Sequence, residues 1–313
     1  MTTPTLTAAT RPPVAPAHRP QKARSRWYGA SVNLFYVPAL LVFIVFTLYP
    51  LISGVGLSFT DWNGYSADRD WIGWANYARL AQDPTFRSVL VNTVIYGVGS
   101  TVIQQVLGLA LALMLDRKAR GVSAARAIVY LPVLVSPVIM GTMYYLLLQY
   151  NNGALNDVMG LFGRDPVAWL STTNGSIAII VLVNSLQFVG LSMIIYMAGL
   201  QGIDQAYYEA SALDGATASQ QFWHVTLPLL KPAVATSVIL NLIGGLKLFD
   251  IIKVLTNGGP GYSTNSVSTF IGVTYFDAQS AGYASAMGVV LFLLIMAATL
   301  VLNSGFGRKR AED

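Results

Sequence analysis

The chain has 313 residues, of which 54% are hydrophobic and only 11% are charged, and its formal net charge is +5. Soluble domains usually carry about 25% charged residues, so this composition predicts a polytopic membrane protein. The absence of cysteine excludes disulfide bonds and thiolate chemistry. The Lys and Arg residues lie beside apolar runs, which indicates positive-inside membrane topology rather than nucleic-acid binding.

Residues 1–32 are rich in Pro, Ala, Thr and Arg, and this composition predicts a disordered basic tail on the cytoplasmic side. A secretory signal peptide is the alternative interpretation. Against it, the apolar run that follows is too long for a signal peptide, and no small-residue cleavage site is evident. At the other end, residues 308–313 are predicted to form a second, short cytoplasmic tail.

Between the tails, residues 33–307 form one predicted membrane domain with six apolar runs, each near the ~20 residues that span a bilayer. The runs lie at about 34–58, 90–115, 127–149, 176–199, 233–256 and 282–305. The segment Arg117–Arg126 is basic, whereas the loops near 59–89, 150–175 and 257–281 are balanced or slightly acidic. With six spans, the positive-inside rule therefore places both termini in the cytoplasm.

Polar residues inside a membrane span are costly and are expected to face the interior of the bundle. In the third run, Pro132, Ser136, Pro137 and Thr142 predict a bent helix with exposed polar groups, as is common beside a transport path.

The fourth run has four residues at i, i+3, i+4 and i+7, which share one helical face: Asn184, Gln187, Phe188 and Leu191. Two amides beside an aromatic ring suit a sugar-sized polyol, because amides hydrogen-bond hydroxyls and the ring offers a flat apolar surface. Hydrogen bonding between helices is the alternative role for either amide.

In the fifth run, a second face is formed by Asn241, Gly245 and Leu248. The opposite side of this run carries three charges: Lys247, Asp250 and Lys253. Their spacing predicts a structural ion pair of Asp250 with Lys247 or Lys253. The alternative to a structural role is that the Asp250 carboxylate couples transport to an ion.

Signatures of enzyme chemistry are missing from the sequence. No P-loop pattern occurs, and the two histidines, His18 and His224, belong to no metal-binding or nucleophile motif. The sequence therefore predicts a transport or binding protein that is not an enzyme and uses no cofactor.

A mostly polar loop at 200–232 separates the fourth and fifth runs. Asp204 is a favourable N-cap for a helix that continues to Leu213, and Gly215 then predicts a sharp bend. Ser219 is a candidate cap for a second short helix, which Pro228 would limit. The pattern predicts two short helices joined by a glycine turn and lying across one membrane face.

This loop resembles the "EAA" loop of binding-protein-dependent ABC importer permeases through seven residues: Glu209, Ala210, Ser211, Gly215, Val225, Leu227 and Pro228. Ser211 stands where the family has a second Ala, and Val225 where it usually has Ile. The segments FDIIKVLTNGGP at 249–260 and GYASAM at 282–287 resemble the carbohydrate-uptake class. Within that class, they resemble the first permease subunit of maltose- and glycerol-phosphate-type importers.

The resemblance implies an all-α type I ABC importer permease fold with six transmembrane helices and a cytoplasmic coupling helix, in a bacterial plasma membrane. It also implies a second homologous permease subunit, two cytoplasmic ATP-binding subunits, an extracytoplasmic solute-binding protein and a sugar substrate. Contact with the ATPase is assigned by the resemblance to Glu209, Ala210, Ser211, Asp214, Gly215, Leu227 and Pro228.

The same resemblance assigns sugar binding to the two faces described above, those of Asn184 and of Asn241. Gly245 and Leu248 are apolar where a maltose-type site has amides, which argues against a maltose-like substrate. Two alternatives stay open. One is a self-contained secondary transporter that uses Asp250 or Asp277 for coupling, and the other is an ABC permease for a non-sugar solute. The EAA-like motif favours the ABC importer over the secondary transporter.

Overall fold

The computed structural model describes residues 36–117 and 119–307, so the tails predicted at 1–32 and 308–313 lie outside the described residues. The described chain is helical, and its only β-structure is an isolated bridge between Thr60 and Trp71. An all-α fold is therefore confirmed for this part of the chain.

Four helices are long and apolar enough to cross a membrane: α1 (Tyr36–Leu57), α3 (Pro84–Leu115), α7 (Thr173–Gln201) and α13 (Ala281–Gly307). Two further candidates are bent pairs of helices. The first joins α4 (Val122–Leu134) to α5 (Pro137–Leu147) at 99°, and the second joins α9 (Ala218–Leu229) to α10 (Lys231–Leu246) at 64°. The described residues thus hold four candidate spans, or up to six if each bent pair counts as one.

Shorter helices occupy the connections between these candidates. They are α2 (Ala75–Gln82), α6 (Ala154–Leu161), α8 (Gln205–Leu213), α11 (Asp250–Leu255) and α12 (Val267–Gly272).

The bend predicted in the third apolar run is confirmed between α4 and α5. Val135 and Ser136 have extended ψ angles of 137° and 136°, and Pro137 is the first residue of α5. Proline lacks an N–H group and disfavours the α conformation in the residue before it. The helix therefore ends before Pro137 and restarts in a new direction.

The fifth predicted span, 233–256, is wrong as a single regular helix. Helix α10 ends at Leu246, and α11 begins at Asp250. Gly244 and Gly245 lower the helix propensity just before the break, and the Ser266 hydroxyl donates a hydrogen bond to the freed Leu248 carbonyl at 2.7 Å.

This break also changes the interpretation of the charges. Lys247 lies beyond the end of α10, so the continuous helix that would pair it with Asp250 does not exist. Asp250 instead occupies the first turn of α11 and Lys253 its last turn. Each charge is then stabilised by the dipole of the short helix.

Helices α3 and α7 form the centre of the second of two compact units, which begins at Ile52. An added Cβ at Gly108 would lie 2.5 Å from Ser192 Cβ, and one at Gly190 would lie 2.6 Å from the Val129 carbonyl oxygen of α4. Helices in lipid associate through such close contacts of small residues. These glycines therefore set how near α3 and α4 approach α7.

At the opposite end of α3 from Leu115, Asp83 caps the helix and links it to α13. Its carboxylate accepts hydrogen bonds from the Thr85 amide at 2.8 Å and from the Tyr283 hydroxyl at 2.8 Å. Burial raises the pKa of Asp83, but the hydrogen bonds from Tyr283, Phe86 and Thr85 outweigh it, and the pKa lies below its usual value.

In the first unit, the described residues up to Leu51 belong to α1. No residue of α1 is buried in this chain. A π-helical turn at Ile44–Leu48 precedes Pro50, which cannot donate the N–H group that a regular helix would need there.

Candidate functional site

The loop between α7 and α10 folds as two short helices joined by a glycine turn. Asp204 caps α8, and its carboxylate accepts a hydrogen bond from the Ala206 amide at 2.9 Å. Gly215 follows the helix with a φ of +82°, and an added Cβ would meet nothing within 4 Å. Glycine is thus favoured here by the left-handed backbone and not by lack of space. The roles predicted for Asp204 and Gly215 in the turn are confirmed.

The second helix of the loop begins earlier than predicted. Thr217, not Ser219, is the N-cap of α9, and it forms a reciprocal capping box with Gln220. The Gln220 side chain accepts a hydrogen bond from the Thr217 amide at 2.8 Å. The capping box satisfies two free backbone N–H groups at once, so Thr217 is a more favourable N-cap than Ser219.

The two helices of the loop are held together by a polar clasp, formed by Tyr208, Ser211, Gln221 and Thr226. The Gln221 side-chain amide donates to the Ser211 hydroxyl at 3.0 Å and to the Tyr208 carbonyl at 3.2 Å. The Tyr208 and Thr226 hydroxyls are 3.1 Å apart. Ser211, which replaces the expected Ala, supplies a hydrogen-bond acceptor that Ala lacks, so this replacement strengthens the clasp.

The surface of the loop is both apolar and acidic. Leu213 is 90% exposed and Trp223 60% exposed, and Glu209 is exposed on the same helix as Leu213. A contact surface for another protein presents exposed apolar side chains of this kind. Among the other predicted coupling residues, Ala210, Asp214 and Gly215 are exposed, whereas Ser211, Leu227 and Pro228 are half-buried.

The two faces predicted for sugar binding lie largely inside this chain. Five of their seven members are buried: Asn184, Gln187, Asn241, Gly245 and Leu248. Phe188 and Leu191 are half-buried. The Asn241 amide donates to the Ser192 hydroxyl of α7, and an added Cβ at Gly245 would lie 2.8 Å from Gly97 Cα of α3. Asn241 and Gly245 therefore join α10 to α7 and α3 in this conformation.

Gln187 connects α7 to the break between α4 and α5. Its side-chain amide donates a hydrogen bond to the Val135 carbonyl at 3.0 Å. Val135 lies in the break, where the carbonyl has lost its helical partner. The side-chain oxygen of Gln187 is buried and has no partner among the described residues.

Sequence reasoning missed two glutamines of α3 that belong to the same interior. The Gln104 amide donates to the Asn184 carbonyl at 3.1 Å, and Gln105 accepts a hydrogen bond from the Tyr196 hydroxyl. The side-chain oxygen of Gln104 and the side-chain nitrogen of Gln105 are buried without a partner among the described residues. Two adjacent amides in an apolar run were the available signal, because polar groups in spans mark the bundle interior.

A family model matches residues 88–311 and is described as the inner membrane component of binding-protein-dependent transport systems. The chain belongs to this family. It is therefore the membrane component of a transport system, and not an enzyme.

This permease is similar to several characterised or classified relatives. It is 34% identical over 283 residues to the probable ABC transporter permease protein YurN of Bacillus subtilis, with 89% of this chain and 97% of the relative covered. It is 33% identical over 268 residues to the trehalose/maltose transport system permease protein MalF of Thermococcus litoralis, with 86% and 90% covered.

The fold is also similar to a solved structure. A chain of a bacterial ABC transporter that imports the acidic polysaccharide alginate aligns with a TM-score of 0.78 and 25% sequence identity. The alignment covers 90% of this permease and 96% of that chain.

Proposed function

We propose that this permease translocates a sugar or a related polyol in an ATP-driven importer, by alternating access coupled to separate ATPase subunits. Family membership together with the exposed two-helix loop is the observation that carries the proposal. The relatives named for trehalose, maltose and alginate transport favour a carbohydrate substrate. The buried amides of α7 are compatible with binding of hydroxyl groups in another conformation.

Six spans follow if the α4–α5 pair crosses the bilayer once and if, in the α9–α10 pair, α10 makes the crossing while α9 lies at the membrane face. Both termini and the loop formed by α8 and α9 then lie on the cytoplasmic side, with the basic segment after α3. In that segment, the Arg126 guanidinium donates to the Leu115 carbonyl at 2.7 Å and caps the end of α3. The basic composition of this segment supports the orientation, since Lys and Arg are enriched in cytoplasmic loops.

In this arrangement α8 is the coupling helix, and Glu209 and Leu213 contact a cytoplasmic ATPase subunit. We expect two such ATPase subunits, one for each of two permease subunits. The second, homologous permease is an expectation from the resemblance to carbohydrate importers. The description of the family supports an extracytoplasmic binding protein as the source of the solute.

The seven residues on the faces of Asn184 and Asn241 stay our candidates for the sugar site. Phe188 and Leu191 are the members accessible in this conformation. Gln187 would become accessible if α4 and α5 moved away from α7 during the transport cycle. That movement would break the hydrogen bond from Gln187 to the Val135 carbonyl.

Two variants separate sugar binding from support of the fold. Gln187→Ala removes the donor to a buried carbonyl, which costs about 1–3 kcal/mol, so both uptake and thermal stability should fall. Asn184→Ala keeps the backbone carbonyl that Gln104 contacts, so uptake should fall with a smaller loss of stability than in Gln187→Ala. Uptake kinetics and thermal unfolding of the purified complex measure the two effects. Normal uptake in both variants would remove this face from the site.

A secondary transporter is disfavoured by the positions of its candidate carboxylates. Asp250 lies in the first turn of α11, and Asp277 is exposed at the end of a π-helical turn. Both lie between α10 and α13, outside the candidate spans. We therefore expect uptake to depend on ATP hydrolysis and not on either carboxylate.

Reconstitution of the complete complex tests the energy source. Uptake should continue when an uncoupler collapses the proton gradient at constant ATP, and Asp250→Asn should behave in the same way. The purified permease alone should neither bind nor hydrolyse ATP. Hydrolysis by the isolated subunit, or loss of uptake on collapse of the gradient alone, would contradict the proposed function.

A further inference from the structure

Helix α6 presents an apolar face that this chain leaves uncovered. Leu161 is 85% exposed and Phe162, the residue after the helix, 78% exposed. Leu155 and Val158 are also exposed, and the spacing of all four residues gives one stripe along the helix. Such a stripe requires an apolar neighbour outside the chain.

The helix is held rigidly, so the stripe is not a product of a loose loop. Asn156 lies on its opposite side and is buried. Its amide nitrogen is within hydrogen-bond distance of the Gln149, Tyr150 and Val167 carbonyls, and its oxygen accepts from the Trp169 indole at 2.9 Å. The left-handed Gly163 (φ +69°) follows, and the Arg164 amide returns to the Met159 carbonyl.

The position of α6 along the chain restricts what can cover the stripe. Residues 148–153 separate it from α5, and residues 162–172 separate it from the long apolar helix α7. The coupling loop follows the other end of α7, so α6 lies at the opposite membrane face. The chain order thus places α6 between two candidate spans on that face.

Two further observations favour lipid over a protein partner. The preceding helix, α5, also exposes large apolar side chains: Met143, Leu146 and Leu147. The charged residues Asp157 and Arg164 line a separate polar groove with Asn151. A docking surface for a protein usually has a polar rim around its apolar centre, whereas an interfacial helix separates the two faces.

We propose that α6 lies in the membrane–water interface on the side opposite the coupling loop, with Leu155, Val158, Leu161 and Phe162 inserted among the lipids. The helix then anchors the connection between α5 and α7 at a fixed depth. Interfacial helices bury their apolar face by about 5–10 Å at the boundary of headgroups and acyl chains. This inference depends on the membrane location of the family, and not on the identity of the solute.

The cysteine-free sequence allows a direct test with single labels. Val158→Cys and Phe162→Cys permeases, each labelled with an environment-sensitive fluorophore, are assembled into the complete importer complex, which is reconstituted in phosphatidylcholine vesicles. Asp157→Cys is the matched control, because it adjoins Val158 in sequence but faces the polar groove. Quenching is measured with doxyl-labelled lipid and with aqueous iodide.

Labels at positions 158 and 162 should emit at shorter wavelength than the control and be quenched several-fold more strongly by doxyl lipid. Iodide should quench the control label more strongly. Equal iodide quenching at all three positions would place the stripe in water and overturn the proposal. Protection from both quenchers at 158 and 162 would also overturn it, because a protein and not lipid would then cover the stripe.

Discussion

Replacing Glu209 by Lys is expected to leave the permease folded and inserted but to abolish substrate-stimulated ATP hydrolysis. Glu209 is exposed on α8, so the change removes no internal contact on which the fold depends. A carboxylate at this position can accept charge-assisted hydrogen bonds from an Arg or from backbone amides of the ATPase. The ammonium group would instead face a site suited to an anion.

The size of the effect follows from the cost of an unpaired charge in an interface. Truncating one partner of a buried, hydrogen-bonded charge pair costs about 2–5 kcal/mol, and each 1.4 kcal/mol weakens binding about tenfold. Charge reversal adds repulsion to that loss. The ATPase should therefore fail to co-purify with Glu209→Lys in detergent, and stimulated hydrolysis should be lost with it.

Ser219→Lys is the matched control, because it places the same side chain on an exposed position of the same loop. Ser219 lies outside the motif, and Thr217 rather than Ser219 caps the helix, so this variant should keep both the ATPase and its stimulation. If Glu209→Lys and Ser219→Lys behave alike, with wild-type co-purification, the loop is only a connector between spans.

The geometry of this loop could be predicted because local chemistry determines it. Asp204 caps a helix through its own carboxylate, and Gly215 allows a left-handed turn that other residues resist. The Thr217 cap has an equally local signal, because Gln220 three residues later completes its capping box. Residues no more than four positions apart in sequence therefore determine the helix caps and the turn of this loop.

The interior of the bundle could not be predicted in the same way. Periodicity correctly placed Asn184 and Gln187 on one face, but it could not identify what that face meets. Val135, the acceptor for Gln187, is 52 residues away in sequence. The break after Leu246 was also hidden, because it is stabilised by Ser266 from a distant segment. Tertiary contacts of this kind override the local pattern.

The contact between α4 and α7 gives the second large expected effect, for Gly190→Ala. The new Cβ would lie 2.6 Å from the Val129 carbonyl oxygen and 2.9 Å from Tyr130 Cα. Both are backbone atoms, so no side-chain rotation can relieve the overlap, and α4 must move away from α7. Overpacking of this kind typically costs about 1–3 kcal/mol, and it would also separate Gln187 from the Val135 carbonyl. Thermal stability and uptake should therefore fall together.

Gly244→Ala is the control, and its expected effect on thermal stability is opposite to that of Gly190→Ala. Gly244 lies within α10, is exposed, and has no atom within 4 Å of an added Cβ. Ala is favoured over Gly inside a helix by about 0.5–1 kcal/mol, so this variant should be as stable as the wild type or more stable. Thermal unfolding of both purified variants in the same detergent makes the comparison. Equal stability of Gly190→Ala and Gly244→Ala would show that the close approach of α4 to α7 is not required for the fold.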